Sequence, residues 1–365
     1  MAFASIGPAL PEFAQVVGLD VSSIGVIFTA IFAGFLASQI SASMLLDRIG
    51  TRTAILISLG TYACGAVGLG LAHDVAMLIA AASLLGIGYG LGTISINLVA
   101  SRLMTHRPGF VINAINVLYG AGTVVGPLVT SAVLRDGGSA RWVPAVGGIV
   151  ALLLMPWAWQ VLPRDGGRHL QHAAGARIRR TLPVSLLLIG GLVFLYGGVE
   201  AGFSGWAATY LEHTLGTSPS RAALLTSLYW FAYLMGRVAS TALALRIGPA
   251  AMLEGALALL VCGGVVLAAS VGHAVGTTTG LLLLGLATGP VYPAMFGLVT
   301  QRFADRAAYA VSAVSAIGCG GAMLLPWTMG LTLPMAGGRI LAATPLVLAL
   351  GMWACVRLSA RRPVT

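Results

Sequence analysis

The sequence contains no lysine, and only 8% of its residues are charged. A folded protein in water needs a largely polar surface, whereas 58% of this chain is hydrophobic. The scarcity of charge therefore excludes an ordinary soluble protein of 365 residues. It predicts instead that most of the chain lies in a lipid bilayer.

Cysteine and histidine are also scarce, with four and six residues. The cysteines are widely separated inside apolar runs, without the spacing of metal ligands, and the histidines fall in or near predicted loops. Catalysis inside a membrane would need acids, histidines or a nucleophile and its base at one depth, and the sequence shows no such set. We therefore predict no metal, no cofactor and no enzymatic activity.

The apolar runs are about 18–25 residues long and do not alternate with polar residues, which favours membrane helices over barrel strands. We therefore predict an all-α membrane protein. The first helix is short for a membrane span, so we expect the natural gene to extend it upstream of Met1. The twelve predicted helices lie at roughly 1–16, 21–46, 53–71, 77–100, 108–134, 142–162, 184–211, 220–245, 250–270, 277–300, 307–333 and 339–357.

The longest polar interruption runs from Pro163 to Pro183 and carries five arginines. It divides the chain into a predicted N-terminal bundle (1–162), a linker (163–183) and a C-terminal bundle (184–365). Fifteen of the twenty arginines fall on the linker's side of the predicted membrane and four on the other side. This positive-inside bias predicts a cytoplasmic linker and cytoplasmic termini in the inner membrane, and it explains the basic charge without nucleic acid.

The two predicted bundles repeat the same features at a nearly constant distance along the chain. Arg48–Gly50 recurs as Arg246–Gly248, an offset of 198 residues. Gly122–Pro127 recurs as Gly321–Pro326, an offset of 199 residues. Such an internal duplication is typical of secondary transporters.

The segment Ser43–Arg52 reads SMLLDRIGTR and resembles the loop signature of the major facilitator superfamily, G-x-L-x-D-R-x-G-R-R. The resemblance implies two six-helix bundles related by pseudo-twofold symmetry, with a tight turn and an ion-pair latch between helices 2 and 3. Ser43 and Thr51 depart from the signature, and a positive-inside loop with an acid at a helix end is the alternative. The predicted gating residues of this loop are Asp47, Arg48, Gly50 and Arg52.

Gly122 and Gly126, which precede Pro127, resemble a motif of the antiporter branch of that superfamily. Thr130 and Ser131 stand where the closing glycines of the motif would be. Glycines four residues apart also permit close helix packing, and both interpretations stay open.

Glu200 is the only acid that we place deep inside a predicted helix. A carboxylate within a bilayer is unfavourable by several kcal/mol unless it is paired, protonated or hydrated, so it indicates a function. Tyr196 shares its helix face, and four glycines between Gly197 and Gly205 would let the helix bend. The stretch resembles helix 7 of fucose-permease-type sugar symporters, although Thr93 replaces their helix 4 acid. This resemblance implies proton coupling at Glu200, and a buried glutamate bonded to hydroxyls is the alternative.

Arg237 is the only arginine that we place in the interior of the membrane, away from the helix ends. Counting 1.5 Å per residue from opposite ends of helices 7 and 8 places Glu200 and Arg237 at different depths. We therefore do not expect the two residues to pair. Arg237 is interpreted either as snorkelling to the cytoplasmic interface or as a cavity-lining, gating residue.

Aromatic and amide side chains predicted at mid-depth are the candidate substrate contacts. They could stack on and hydrogen-bond a neutral polyol such as a sugar, and they would equally suit an amphiphilic drug. The predicted contacts are Tyr89, Asn116, Tyr119, Tyr196, Trp206, Tyr229, Trp230 and Tyr292.

The sequence favours a secondary transporter that moves a small polar solute, such as a sugar, by alternating access and with protons as coupling ions. We expect a monomer whose partners are the substrate, protons and the lipid bilayer. The alternatives are a proton-coupled efflux pump for lipophilic compounds and a membrane receptor that keeps the fold without transport.

The arginine distribution makes the topology testable. Reporter fusions placed after Arg180 and after Arg362 should both give a cytoplasmic signal. A periplasmic signal at either position would contradict the twelve-helix arrangement.

Overall fold

The computed structural model describes residues 1–103, 108–162, 183–244, 246–335 and 338–361. These residues form helices joined by short turns, and no strand occurs among them. The predicted linker, apart from Pro183, lies outside the described residues.

Six helices precede the linker. They are α1 (Ala2–Val17), α2 (26–49), α3 (51–71), α4 (Val75–Leu103), α5 (Pro108–Arg135) and α6 (Val143–Val161). The short 3-10 turn Ala140–Trp142 leads into α6.

Six helices follow the linker. They are α7 (Val184–Leu215), α8 (Pro219–Leu243), α9 (Pro249–Ala269), α10 (Ala274–Arg302), α11 (Ala307–Thr332) and α12 (Arg339–Ala360). The predicted all-α class and the twelve helices are confirmed. Within the described ranges, nine helices are long and apolar enough to cross a membrane.

The turn between α2 and α3 is tighter than predicted. The sequence suggested a loop over 47–52, whereas Val26–Leu71 is helical throughout except at Gly50, which has φ 75° and ψ 165°. A positive φ is strained for a residue with a side chain, so a glycine is needed at this turn. Leu46 before the turn and Ala54 after it pack with Leu91 of α4, which keeps both flanks helical.

Glycines let neighbouring helices approach closely, and equivalent contacts recur in the two halves. A Cβ atom on Gly86 of α4 would lie 1.9 Å from the Ile31 carbonyl oxygen of α2. A Cβ atom on Gly285 of α10 would lie 2.3 Å from the Tyr229 carbonyl oxygen of α8. Gly86 and Gly285 are 199 residues apart, the same offset as in the predicted duplication.

The Gly122–Pro127 segment packs against α1. A Cβ atom on Gly126 would lie 2.5 Å from the Met1 carbonyl oxygen and 3.2 Å from the Ser5 nitrogen. Close helix packing therefore explains this glycine spacing in the structure.

The two halves are joined along α5 and α8, which run antiparallel. Ser220 Oγ donates to the Ser131 carbonyl oxygen at 2.8 Å, and Ser227 Oγ donates to the Val124 carbonyl oxygen at 2.9 Å. Nearer the middle of the helices, Gly120 of α5 makes room for the Leu234 side chain of α8. These contacts hold α8 against α5 over much of its length.

A second contact between the halves, which we name the glycine seal, consists of Gly7, Ser22, Gly205 and Gly330. A Cβ atom on Gly7 of α1 would lie 2.6 Å from the Gly205 carbonyl oxygen of α7. A Cβ atom on Gly330 of α11 would lie 2.5 Å from the Ser22 carbonyl oxygen. Backbone thus meets backbone, which closes the end of the bundle that carries the α1–α2 connection.

The glycine seal predicts a penalty for a single added methyl group. Gly7→Ala would press its Cβ against the Gly205 carbonyl, and overpacking of this kind costs about 1–3 kcal/mol. We expect the thermal unfolding midpoint of the purified protein to fall by at least a few degrees, at about 2–4 °C per kcal/mol.

Gly60→Ala is the matched control, because a Cβ atom on Gly60 of α3 would have no heavy atom within 4 Å. It should leave the unfolding midpoint unchanged or raise it slightly, since alanine favours a helix. Equal midpoints for the two variants would contradict the glycine seal.

Candidate central binding site

Helix α7 is irregular at its centre, where Glu200 lies. Val184–Gly197 and Ser204–Leu215 are α-helical, whereas Gly198–Phe203 between them forms a π-helical turn. Such turns are rare in proteins, and those that occur are often found at functional sites. The glycine-rich sequence predicted that the helix could bend or unwind here, and the structure shows a widened turn.

Helix α11 supports this turn through glycine contacts. A Cβ atom on Gly197 would lie 2.7 Å from the Ala322 nitrogen, and one on Gly202 would lie 2.7 Å from the Met329 sulfur. Larger residues at these positions would push α7 away from α11. The π turn therefore has a fixed backing while its Glu200 side chain extends toward α8.

The Glu200 carboxylate meets two residues of α8. The Tyr233 hydroxyl donates to Oε1 at 2.5 Å, and Arg237 Nη2 lies 3.8 Å from the same oxygen. Arg237 Nη1 also donates to Asn116 Oδ1 of α5 at 3.0 Å. We name Asn116, Glu200, Tyr233 and Arg237 the central polar network. It connects the two halves, because Asn116 belongs to the first and the other three residues to the second.

The expectation that Glu200 and Arg237 would not pair was wrong. Helix α7 has 32 residues and α8 has 25, or about 48 Å and 37 Å at 1.5 Å per residue, so depths counted from opposite ends overlap near mid-helix. Helical side chains also lean toward the N-terminus of their own helix. Because α7 and α8 run antiparallel, Glu200 and Arg237 lean toward each other.

Tyrosine rings surround the buried Arg237 guanidinium, which is therefore not snorkelling to an interface. Its central carbon lies 4.8 Å from the ring centre of Tyr233, 5.7 Å from that of Tyr119 and 6.0 Å from that of Tyr292. A cation within about 6 Å of an aromatic face is attracted to the ring. Tyr292 is 39% exposed and the Glu200 side chain 22%, so the cluster is not closed on every side.

The structure brings most of the predicted substrate contacts together. Tyr89 stacks with Tyr119 at 6.4 Å between ring centres, and Tyr196 packs on Tyr292 at 5.9 Å. Both pairs reach Arg237, through Tyr119 and Tyr292 respectively. Their role in substrate binding stays a prediction.

The remaining predicted contacts divide into two groups. Trp230 and Tyr229 are buried next to the network, with the Trp230 ring 5.2 Å from Tyr233 and 5.5 Å from Tyr229. Trp206 lies elsewhere: its indole nitrogen donates to the Pro326 carbonyl oxygen at 2.7 Å, and its ring lies against Gly330 of the glycine seal. We therefore correct the interpretation of Trp206, which braces the seal in this structure.

Sequence reasoning left three neighbours of the site out. Tyr233 precedes Arg237 by four residues and shares its helix face, but this spacing alone does not mark a binding residue. The Phe35 ring lies 5.2 Å from Tyr89, and the Phe296 ring lies 4.5 Å from Tyr292. No sequence signal distinguishes these phenylalanines from ordinary packing residues.

The predicted latch residues at the α2–α3 turn do not pair with one another in the described part of the chain. The Arg52 guanidinium stacks 4.0 Å from the centre of the Trp159 ring of α6 and is buried. Asp47 Oδ1 is buried without a hydrogen-bond partner among the described residues, and Arg48 is exposed. The connection at 104–107 lies outside the described residues, and the gating role stays a prediction.

Comparisons with known proteins agree with this architecture. Residues 1–326 match the family model of the Major Facilitator Superfamily. The chain is 26% identical over 373 residues to the 3-(3-hydroxy-phenyl)propionate transporter of Escherichia coli (strain K12), which covers 97% of this chain and 89% of that protein.

Two crystal structures share the fold. FucP, a Major Facilitator Superfamily transporter in the outward conformation, matches with a TM-score of 0.66 and 17% identity over 98% of this chain and 97% of that one. The D-xylose-proton symporter matches with a TM-score of 0.78 and 18% identity over 96% and 93%. Because the family model spans most of the chain and the fold agrees, this protein belongs to the Major Facilitator Superfamily of multi-pass membrane transporters.

Proposed function

We propose that the protein is a proton-coupled secondary transporter that moves a small polar solute across the cytoplasmic membrane by alternating access. One observation carries the proposal. Glu200, whose charge a proton can remove, lies next to Arg237, which is hydrogen-bonded to Asn116 in the other half. Protonation of one residue would thus act on a contact between the halves.

The central polar network suggests how the coupling would work. An ionised Glu200 neutralises Arg237, and a buried charge that loses its partner is strongly destabilising. Protonation would weaken the hold of Glu200 on Arg237 while Glu200 remains bonded to the Tyr233 hydroxyl. Arg237 could then change partners, either to a substrate or to another group, as the halves move.

The surrounding tyrosines Tyr89, Tyr119, Tyr196 and Tyr292 would contact the solute with their flat rings and hydroxyls. The names of similar proteins do not decide which solute that is, because one relative is named for a phenylpropionate and one structure for D-xylose. The likeness to the xylose symporter, at 18% identity, concerns the fold.

A proton-coupled efflux pump for lipophilic compounds is the second candidate, favoured by the glycine spacing of α5. Because Gly126 packs directly against α1, this spacing also has a structural explanation. A non-transporting receptor would show ligand binding without accumulation in the uptake assay described below. We further propose cytoplasmic termini and a monomer.

The gating proposal predicts that Asp47→Asn slows transport without reducing the amount of protein in the membrane. Removing the charge at this half-buried carboxylate should shift the balance between the inward-open and outward-open states. The measurement is the initial rate of solute uptake into proteoliposomes. Asp136→Asn is the matched control, since Asp136 is exposed and its ion-pair partner within the described ranges is exposed Arg135. Unchanged uptake rates for both variants would contradict the gating role and indicate that the α2–α3 turn only sets the orientation in the membrane.

The coupling proposal predicts that Glu200→Gln abolishes accumulation driven by a pH gradient and preserves substrate binding. Glutamine resembles the protonated acid in shape and cannot release a proton. Uptake into proteoliposomes with and without an imposed pH gradient measures the effect. Glu254→Gln, at an exposed acid of α9, should accumulate solute like the parent protein. If Glu200→Gln still accumulates solute against its gradient, Glu200 is not the coupling site.

A further inference from the structure

We propose that the transported solute is an organic carboxylate, and that its carboxylate group takes the place of Glu200 on Arg237. The inference rests on the proposed function and names the substrate class of the same site. It follows from the hydrogen-bonding capacity that Arg237 retains in the structure.

The Arg237 guanidinium has five N–H donors in a planar fork. Nη1 is engaged by Asn116 at 3.0 Å. On the opposite edge, Nη2 lies 3.8 Å from Glu200 Oε1, well beyond the roughly 2.7–2.9 Å of a charged hydrogen bond. Nε, on that same edge, is buried without a hydrogen-bond partner among the described residues.

Nε and Nη2 lie side by side and form the edge through which arginine binds a carboxylate with two parallel hydrogen bonds. Glu200 occupies this edge only loosely, because its Oε1 atom is bonded to the Tyr233 hydroxyl instead. A ligand carboxylate can therefore make two bonds with Arg237 that Glu200 does not make here. A neutral sugar has no carboxylate with which to make these two bonds.

Charge balance links this binding to a proton. With Glu200 ionised, the site holds one negative and one positive group. A second carboxylate would be repelled by Glu200, and repulsion between two acids at one site favours protonation of one of them. Binding of the ligand would thus draw one proton onto Glu200, and the occupied site would again be neutral.

The other titratable groups around the pair do not alter this balance. Phenols and thiols are largely protonated near neutral pH, so they add no charge next to the Glu200–Arg237 pair there. The rings also offer apolar contact for the body of a carboxylate. These groups come from α4, α5, α7, α8, α10 and α11, and they are Tyr89, Tyr119, Tyr196, Tyr229, Tyr233, Tyr292 and Cys319.

Calorimetric titration of the purified full-length protein tests the inference with matched probes. Benzoate is compared with benzamide, hexanoate with hexanamide, and D-xylose serves as the neutral sugar. We expect at least one carboxylate to bind about tenfold or more tightly than its amide, as the loss of a charged hydrogen bond implies. Its affinity should be higher at pH 6 than at pH 8, because binding takes up a proton.

Two variants separate the roles of the paired residues. Arg237→Gln should weaken carboxylate binding about tenfold or more and leave amide binding unchanged. Glu200→Gln should bind the carboxylate more tightly than the parent at pH 8 and lose the pH dependence, since the repelling charge is gone. A folding defect could not produce this gain. Glu254→Gln should behave like the parent, because Glu254 lies on the exposed surface of α9.

The results distinguish this inference from the proposed coupling. Carboxylates that bind no better than their amides, D-xylose binding without either carboxylate, or no binding by any probe would overturn the carboxylate class. Proton coupling at Glu200 would survive those results, since the uptake assay decides it independently. Carboxylate binding that is equally pH-dependent in Glu200→Gln would overturn the exchange between substrate and Glu200.

Discussion

The structure depends on keeping two opposite charges together inside an apolar helix bundle. Removing one partner of a buried ion pair typically costs about 3–5 kcal/mol, so Glu200 and Arg237 stabilise each other's burial. Each also has a hydrogen-bond partner, Tyr233 for the carboxylate and Asn116 for the guanidinium. Because Asn116 belongs to the first half, Arg237 keeps its hydrogen bond to Asn116 only while the two halves are close together at this depth.

Glycine makes that closeness possible where the backbones of the two halves meet. At the glycine seal, the backbone of Gly7 faces that of Gly205 and Gly330 faces Ser22, with the Phe28 and Trp206 rings packed beside them. Inside each half, glycines likewise let the backbone of α4 approach α2 and that of α10 approach α8. In the proposed alternating-access cycle, the halves would separate at this contact while each half keeps its internal packing.

Much of the fold could be predicted from the sequence, because a bilayer permits few structures other than apolar helices. Glu200 stood out for the same reason, since an acid is costly inside a span. The pairing of Glu200 with Arg237 could not be predicted in this way, because counting from helix ends ignores the length of α7 and the direction in which side chains lean. Trp206 shows a further limit: residue type does not reveal that a carbonyl, here that of Pro326, already holds the indole N–H.

For the proposed coupling, the loose geometry of the Glu200–Arg237 pair matters more than its strength. Coulomb attraction falls only inversely with distance, so a separation of 3.8 Å keeps about three quarters of the attraction available at about 2.8 Å. The directional hydrogen bonds, however, are lost at the longer distance. Arg237 is therefore neutralised by a partner that does not fill its binding edge. A tightly bidentate pair would resist both protonation and replacement by a substrate. In the proposed exchange, this pair offsets the cost of burying Arg237 and leaves part of the binding edge unoccupied.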